Sequence, residues 1–187
     1  MADVCNISEI QKRVSLYKRR TLAATPRVAA VLLLLVPHGT QHNVILTKRV
    51  RSLDHHGGEV SFPGGSVDRG ESLCGGALRE TCEEIGICGD SVKLLGALDD
   101  EMSRWGHRVT PFVGLGCCTD FKLQQAEVDR IYNVPLKHFV SRETYWTEKW
   151  FRGQQSRTVH FFRLQNDIVW GLTALILNKF VHLLSEE

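Results

Sequence analysis

The chain predicts an α/β fold, a mixed sheet covered by helices, and three observations carry that prediction. Two strand-like runs, "RVAAVLLLLV" (27–36) and "HNVILTKRV" (42–50), flank the turn-rich "PHGTQ" and read as an antiparallel pair. A helical pattern from Ser72 to about Glu84 interrupts the strands, and "GLTALILNKFVHLL" (171–184) closes the chain with apolar residues at helical spacing. Strands and helices interleaved in this order favour one sheet with helical cover.

The first element is an amphipathic helix, with Ile7, Ile10, Val14 and Tyr17 on one face and Lys12, Arg13, Lys18, Arg19 and Arg20 around it. Its basic character resembles a transit peptide, but such peptides are poor in acids, and Asp3 and Glu9 favour a helix packed on the domain. Residues 1–22 are assigned to that helix and 23–187 to a single domain, a length that buries one good core. After the first strand pair, "RSLDHHGGEVSF" leads into a glycine turn at Pro63, Gly64 and Gly65, and Gly86 sits where a helix C-terminal glycine belongs. Segments 91–100 and 107–116 read as strands joined by the loop "EMSRWG". Residues 126–140 read as a loop, a short strand and a helical turn, and 157–164 as a further strand.

Composition excludes several classes of function. The 23 Lys and Arg against 21 Asp and Glu give a net charge of +2, so no global field points to nucleic acid or to an anionic membrane. The apolar run 28–36 is well short of the roughly 20 residues that cross a bilayer as a helix. Six cysteines show neither a CxxC pair nor zinc-like spacing, which fits free thiols in a reducing compartment. The N-terminal stretch has no secretory pattern and "LLSEE" carries no peroxisomal or retrieval address, so the expected location is cytoplasmic, with a mitochondrial one left open.

The chemistry concentrates in "FPGGSVDRGESLCGGALRETCEEIGI" (62–87). On a helix Glu80, Glu83 and Glu84 project together, above Gly76 and Ala77, while Cys74, Leu78, Cys82 and Ile85 form an apolar side that suits a sheet. Like charges at this spacing cost about 0.2–0.5 kcal/mol per pair, and each interior glycine roughly 1 kcal/mol. A solvated acidic face is the usual meaning of such a cluster. It explains neither the glycine turn before the helix nor three acids without an interspersed lysine. A hard divalent cation explains both, since convergent carboxylates stop repelling around an ion that shares its shell with substrate phosphates.

Gly65, Glu71, Arg79, Glu80, Glu83, Glu84, Gly86 and Ile87 match eight of the nine specified positions of the Nudix box, G-x5-E-x7-R-E-U-x-E-E-x-G-U, with Thr81 at the first bulky aliphatic position. The chain therefore resembles the Nudix hydrolase family. The resemblance implies an α/β/α sandwich with a mixed sheet and hydrolysis of a nucleoside diphosphate linked to another moiety. It further implies Mg²⁺ or Mn²⁺ on Glu80, Glu83 and Glu84, with Glu80 and Glu84 as the direct ligands, and an ion pair of Glu71 with Arg79 that braces loop and helix. In this family the general base is a box glutamate or an acid on a later loop, where Glu127 is the first candidate here and Glu101 the second. Ordinary loop acids are as common a reading of each.

Upstream, "ILTKRVRSLDHHGGEVSFPGG" (45–65) resembles the segment that precedes the box in coenzyme A pyrophosphatases, L-L-T-x-R-[SA]-x3-R-x3-G-x3-F-P-G-G. Leu46, Thr47, Arg49, Gly58, Phe62, Pro63, Gly64 and Gly65 fit in register, Val50 replaces the small residue, and Asp54 stands where the second arginine belongs. That aspartate would repel a phosphate, and "RVRSL" reads equally as a segment in which Arg51, three residues away, supplies the missing charge and as a solvated basic loop. Arg49, Arg51, Gly64 and Gly65 are accordingly the candidate substrate contacts. His55 and His56 read as polar loop residues rather than as phosphate contacts, and Trp105, Trp146, Trp150 and Phe151 as core or lid packing more often than as a stacking surface for adenine.

Three functions follow in order. The first is a metal-dependent hydrolase cleaving the diphosphate of coenzyme A or an acyl-coenzyme A to 3′,5′-ADP and (acyl-)4′-phosphopantetheine. The second is a pyrophosphatase for another nucleoside diphosphate derivative, such as ADP-ribose, NADH, a dinucleoside polyphosphate or a damaged nucleoside triphosphate. The third is a nucleotide-binding module without turnover, which the intact set of acids disfavours. The expected partner is a small nucleotide diphosphate, not nucleic acid or membrane, with a homodimer as an open assembly state.

Overall fold

The long apolar run forms the middle of the sheet. In a computed structural model, which describes residues 5–51, 57–117, 119–153 and 155–185, β1 (Val28–His38) pairs antiparallel with β2 (Gln41–Arg49) and parallel with β7 (Arg108–Gly116). β3 (Val60–Ser61) and β8 (Val128–Pro135) extend the sheet along β2. β5 (Val92–Ala97) and β6 (Glu101–Met102) pair with β7, and β4 (Gly64–Ser66) with β1, to make eight strands.

A strand buried on both faces reads as a continuous apolar run rather than an alternating one. Leu32, Leu34 and Val36 point to one side, against Ile85 of α2 (Leu73–Ile85) and Ile87. Leu33 and Leu35 point to the other, into a larger cluster with Ile10 and Val14 of α1 (Ile7–Leu16) and Leu177 and Phe180 of α4 (Gly171–Ser185). The result is an α/β/α sandwich. α3 (Leu136–Val140) adds Leu136 and Phe139 to that larger core. No helix among the described residues is long and apolar enough to cross a membrane.

Four features differ from the sequence reading. Segment 145–152, not foreseen as a strand, is β9 (Tyr145–Arg152); with β10 (Gln155–Arg163) and β11 (Ile168–Trp170) it forms a second, three-stranded antiparallel sheet. "EMSRWG" is not a plain loop, because its first residues are β6 and the rest is the tip of the β6–β7 hairpin. The turn at Pro63 to Gly65 runs on into β4. Trp105, Trp150 and Phe151 are exposed rather than core, while Trp146 stacks on Phe161 across the β9–β10 ladder at 5.0 Å between centroids. Cross-strand pairing takes these rings because helices already cover the main core.

The cysteine expectation also needs correction. Cys82 and Cys88 are joined as a disulfide with Cα atoms 4.4 Å apart, and among the described residues Cys74 and Cys117 keep free thiols. Gly86, in the left-handed region at φ 76°, reverses the chain at the end of α2 and brings residue 88 back beside the last helical turn. A search for short CxxC spacings cannot see that reversal.

Candidate active site

The box helix begins at Ser72, whose side-chain oxygen accepts the Gly75 N–H at 3.0 Å, and ends at Gly86. Its buried face is not the one expected. Ala77, Thr81, Glu84 and Ile85 are buried, whereas Cys74, Leu78 and Cys82 are half-buried. Thr81 serves this face by returning its hydroxyl to the Ala77 carbonyl at 2.7 Å, which lets a polar β-branched residue stand where an aliphatic is usual. The acids therefore do not share a solvent face. Glu83 lies outward with 59% of its side chain exposed, Glu80 is at the boundary, and Glu84 is turned inward with 3% exposed.

Inside, the Glu84 carboxylate accepts the Gly64 N–H at 3.3 Å and Arg49 Nη1 at 3.3 Å. Both bonds are long for charge-assisted ones, which run about 2.7–2.9 Å. Burial accordingly pushes its pKa up to about 7, with the Gly64 N–H and Arg49 pulling down and the charges of Glu80 and Glu127 adding to the rise. Arg49 reaches this position because the β2–β8 register shifts between Lys48 and Arg49, a bulge that re-aims the side chain at the end of β2.

Glu80 leans over β4. A Cβ at Gly65 would stand 2.5 Å from both Glu80 Cδ and Oε2, so no other residue leaves room for this carboxylate. The pKa of Glu80 is raised chiefly by burial, against the pull of Arg79 and with the charges of Glu83 and Glu127 added. Glu127 stands on the loop before β8, exposed, in the same cavity wall as Glu80 and Glu83. That loop is tied to the box helix, since the Lys122 and Gln124 N–H groups donate to the Ile85 and Glu84 carbonyls at 2.9 and 3.0 Å. Carbonyls a helix end would leave unpaired thus fix the distance between the two sources of acid.

Arg79 holds the outer carboxylates apart. It forms a bidentate pair with Glu71 (Nε–Oε1 3.1 Å, Nη2–Oε2 3.2 Å) and reaches Glu80 at 3.0 Å, Glu83 at 3.1 Å and the Ser66 carbonyl at 3.0 Å. Hydrogen bonding to Glu71, foremost, raises the pKa of Arg79, and the same bond lowers that of Glu71, helped by the Asp68 N–H.

The residues suit a hard divalent cation. No three His, Cys, Asp or Glu side chains among the described residues are gathered tightly enough to close around an ion, because Arg79 lies between the outer acids. Glu84 is different: it is a buried carboxylate with two long bonds, and the charges of Glu80 and Glu127 oppose it electrostatically. An all-oxygen donor set with excess negative charge is what Mg²⁺ or Mn²⁺ binds.

Two predicted residues fall elsewhere. Arg51 is exposed beside Gly58, outside the cavity wall, because the chain has left β2 and turned toward solvent. Glu101 is drawn into an ion pair with Lys179 of α4 and is likewise not in the wall. Asp54, His55 and His56 lie outside the described residues. In the other direction, a cavity of about 790 Å³ continues from Glu80 and Glu127 to Arg104, Trp105, His160 and Trp170. Of these, sequence reasoning weighed only Trp105. The signal was present in "SRWG", a basic–aromatic pair at a hairpin tip.

Residues 25–132 match the NUDIX domain family model. The Nudix hydrolase NudL of Photorhabdus laumondii is 39% identical over 165 residues, covering 86% of each chain. NudL of Pectobacterium atrosepticum is 36% identical over 163 residues, covering 86% of this chain and 84% of its own. Among solved structures, the NUDIX domain of Shewanella oneidensis NrtR, complexed with ADP ribose, superposes with a TM-score of 0.54 over 89% of this chain and 88% of that one, at 18% identity. A C. elegans Ap4A hydrolase does so with 0.51 over 62% and 84%, at 21% identity, a likeness of fold. The match of family model and relatives, covering most of the chain including the carboxylate helix, means that this protein belongs to the Nudix hydrolase family, pyrophosphohydrolases that act on small nucleotide substrates with divalent metal ions.

Proposed function

We propose that the protein hydrolyses the diphosphate of coenzyme A or an acyl-coenzyme A, releasing 3′,5′-ADP and (acyl-)4′-phosphopantetheine. The observation that carries this reading is the coenzyme A pyrophosphatase-like segment 45–65, whose Arg49, Gly64 and Gly65 come together around Glu84 and Glu80. In this reading Glu80, Glu83 and Glu84 hold Mg²⁺ or Mn²⁺, Glu80 and Glu84 directly. When bound, such an ion polarises phosphoryl oxygens and makes a bound water more acidic. In the same reading Arg49 and the Gly64 N–H, which face Glu84, receive a diphosphate oxygen. Glu127 takes the proton of the attacking water as the water oxygen bonds to phosphorus and the bridging P–O bond breaks, its electron pair leaving with the departing phosphate. Glu71 and Arg79 hold the loop and helix in place.

Product analysis with Mg²⁺ and coenzyme A, dephospho-coenzyme A, ADP-ribose and NADH tests the substrate, with 3′,5′-ADP expected from coenzyme A. Inert coenzyme A beside cleaved ADP-ribose would replace this reading with the one that Asp54 favours. Glu127→Gln is expected to lower kcat by about 10²–10³-fold with little change in KM, the usual size for a lost general base. An unchanged kcat would remove Glu127 from the proton transfer.

A further inference from the structure

We propose that Arg104 reads a second anionic group of the substrate, a phosphomonoester on the nucleoside ribose. The inference rests on the nucleotide reading above and deepens it.

The cavity has walls of two kinds. Glu80, Glu83 and Glu127 line one part, while Arg27, Arg104 and Arg157, from three separate segments, line another. Among the described residues none of these arginines is ion-paired with the acids of the box helix. Glu59 approaches Arg104 at 3.6 Å, too far for a charge-assisted hydrogen bond. A substrate whose only charge is a diphosphate places all of it at the acidic, metal-receptive part and leaves three arginines facing the single carboxylate of Glu59. A substrate with a second, separate phosphate satisfies both.

Arg104 is the residue best prepared for that role. Its guanidinium carbon lies 4.8 Å from the Trp105 ring centroid and 5.6 Å from that of Trp170. Contacts with ring faces occupy the faces of the guanidinium and leave its in-plane N–H groups to donate to phosphate oxygens. The loop that carries it is held: Ser103 Oγ accepts the N–H groups of Trp105 and His107 at 3.3 and 3.0 Å, and Arg27 Nη1 donates to the Trp105 carbonyl at 3.2 Å. A preorganised guanidinium loses little freedom on binding. The indoles beside it also offer a surface on which a purine can stack.

Equilibrium binding followed by tryptophan fluorescence, without turnover, decides the matter. The probes are 3′,5′-ADP, 2′,5′-ADP and 5′-AMP, with the wild-type chain, Arg104→Ala and Arg104→Lys. The wild type is expected to bind a bisphosphate about tenfold more tightly than 5′-AMP, the scale of one charge-assisted contact. Arg104→Ala should bring the probes within about twofold, leaving 5′-AMP nearly unchanged, and Arg104→Lys should keep part of the preference. The two bisphosphates report which ribose position is read. Equal binding of all three probes by the wild type overturns the inference, as does an Arg104→Ala loss equal for 5′-AMP and the bisphosphates. Inert coenzyme A with bisphosphate preference intact would overturn the substrate reading alone, whereas coenzyme A turnover without that preference would overturn this one alone.

Discussion

At pH 8, Glu84→Gln is expected to melt at a higher temperature than the parent chain when divalent cations are absent, and to hydrolyse every diphosphate at least about 10³-fold more slowly when Mg²⁺ is supplied. The two effects share one cause. In the native chain the Glu84 carboxylate is buried with long partners, so its pKa rises from 4.5 to about 7. Between those values the folded chain keeps a proton that the unfolded chain has released, and stability falls as pH climbs through the window. Above about pH 7 the full penalty is present, on the order of 3 kcal/mol from the size of the shift. Glutamine never ionises and escapes it, which for a chain of this length corresponds to a rise in Tm of roughly 5 °C or more. Near pH 4 the difference between the two chains should vanish. On the proposed role of Glu84 as a metal ligand, the lost activity follows from removing a charge that the ion would require, a trade of stability for function expected at such sites. Melting curves of both proteins from pH 4 to 8 with chelator, and rates with Mg²⁺, give the check. A variant no more stable at pH 8, or one that turns over substrate normally, would sink this account.

That burial marks the boundary of what the residues reveal by themselves. The carboxylate helix, its Ser72 cap and its Gly86 end could be read from the chain because caps and 3.6-residue spacing are local properties. The sandwich came with the Nudix resemblance, while the nine-residue apolar run read as a strand and proves to be one covered on both sides. Which helix face turns inward was not legible, since Glu84 is buried by the approach of β4 to β1 and by Arg49 arriving from a bulge. The Cys82–Cys88 bond depends on the reversal at Gly86 and escapes any spacing rule. Arg104, Trp170 and His160 meet in one cavity although 66 positions separate Arg104 from Trp170. Strand β9 was the avoidable miss, because "YWTEKWFR" pairs aromatic with charged residues in a manner that suits an exposed hairpin.

Alanine at the neighbouring glycines 64 and 65 should give opposite failures. Gly64 has φ +142°, and a Cβ there would lie 2.4 Å from the Ala30 carbonyl oxygen and 2.6 Å from Val31 Cα, both backbone atoms of the central strand. Neither can retreat without breaking the β1–β4 ladder, so Gly64→Ala combines a disfavoured φ with a clash and is expected to cost roughly 3 kcal/mol or more. At Gly65 the neighbour is the Glu80 carboxylate, 2.5 Å away at Cδ, the far end of a side chain that can swing aside. Gly65→Ala should therefore fold with a Tm within a few degrees of the parent, yet lose about 10²-fold or more in activity because Glu80 no longer sits over β4. Thermal melting and rates at saturating Mg²⁺ separate the two, and the metal dependence adds a further mark: Gly65→Ala should need a higher Mg²⁺ concentration for half-maximal rate. If Gly65→Ala kept its rate and its metal requirement, the position of Glu80 over β4 would be irrelevant to the chemistry. The role of the glycine pair would then reduce to the backbone constraint at Gly64.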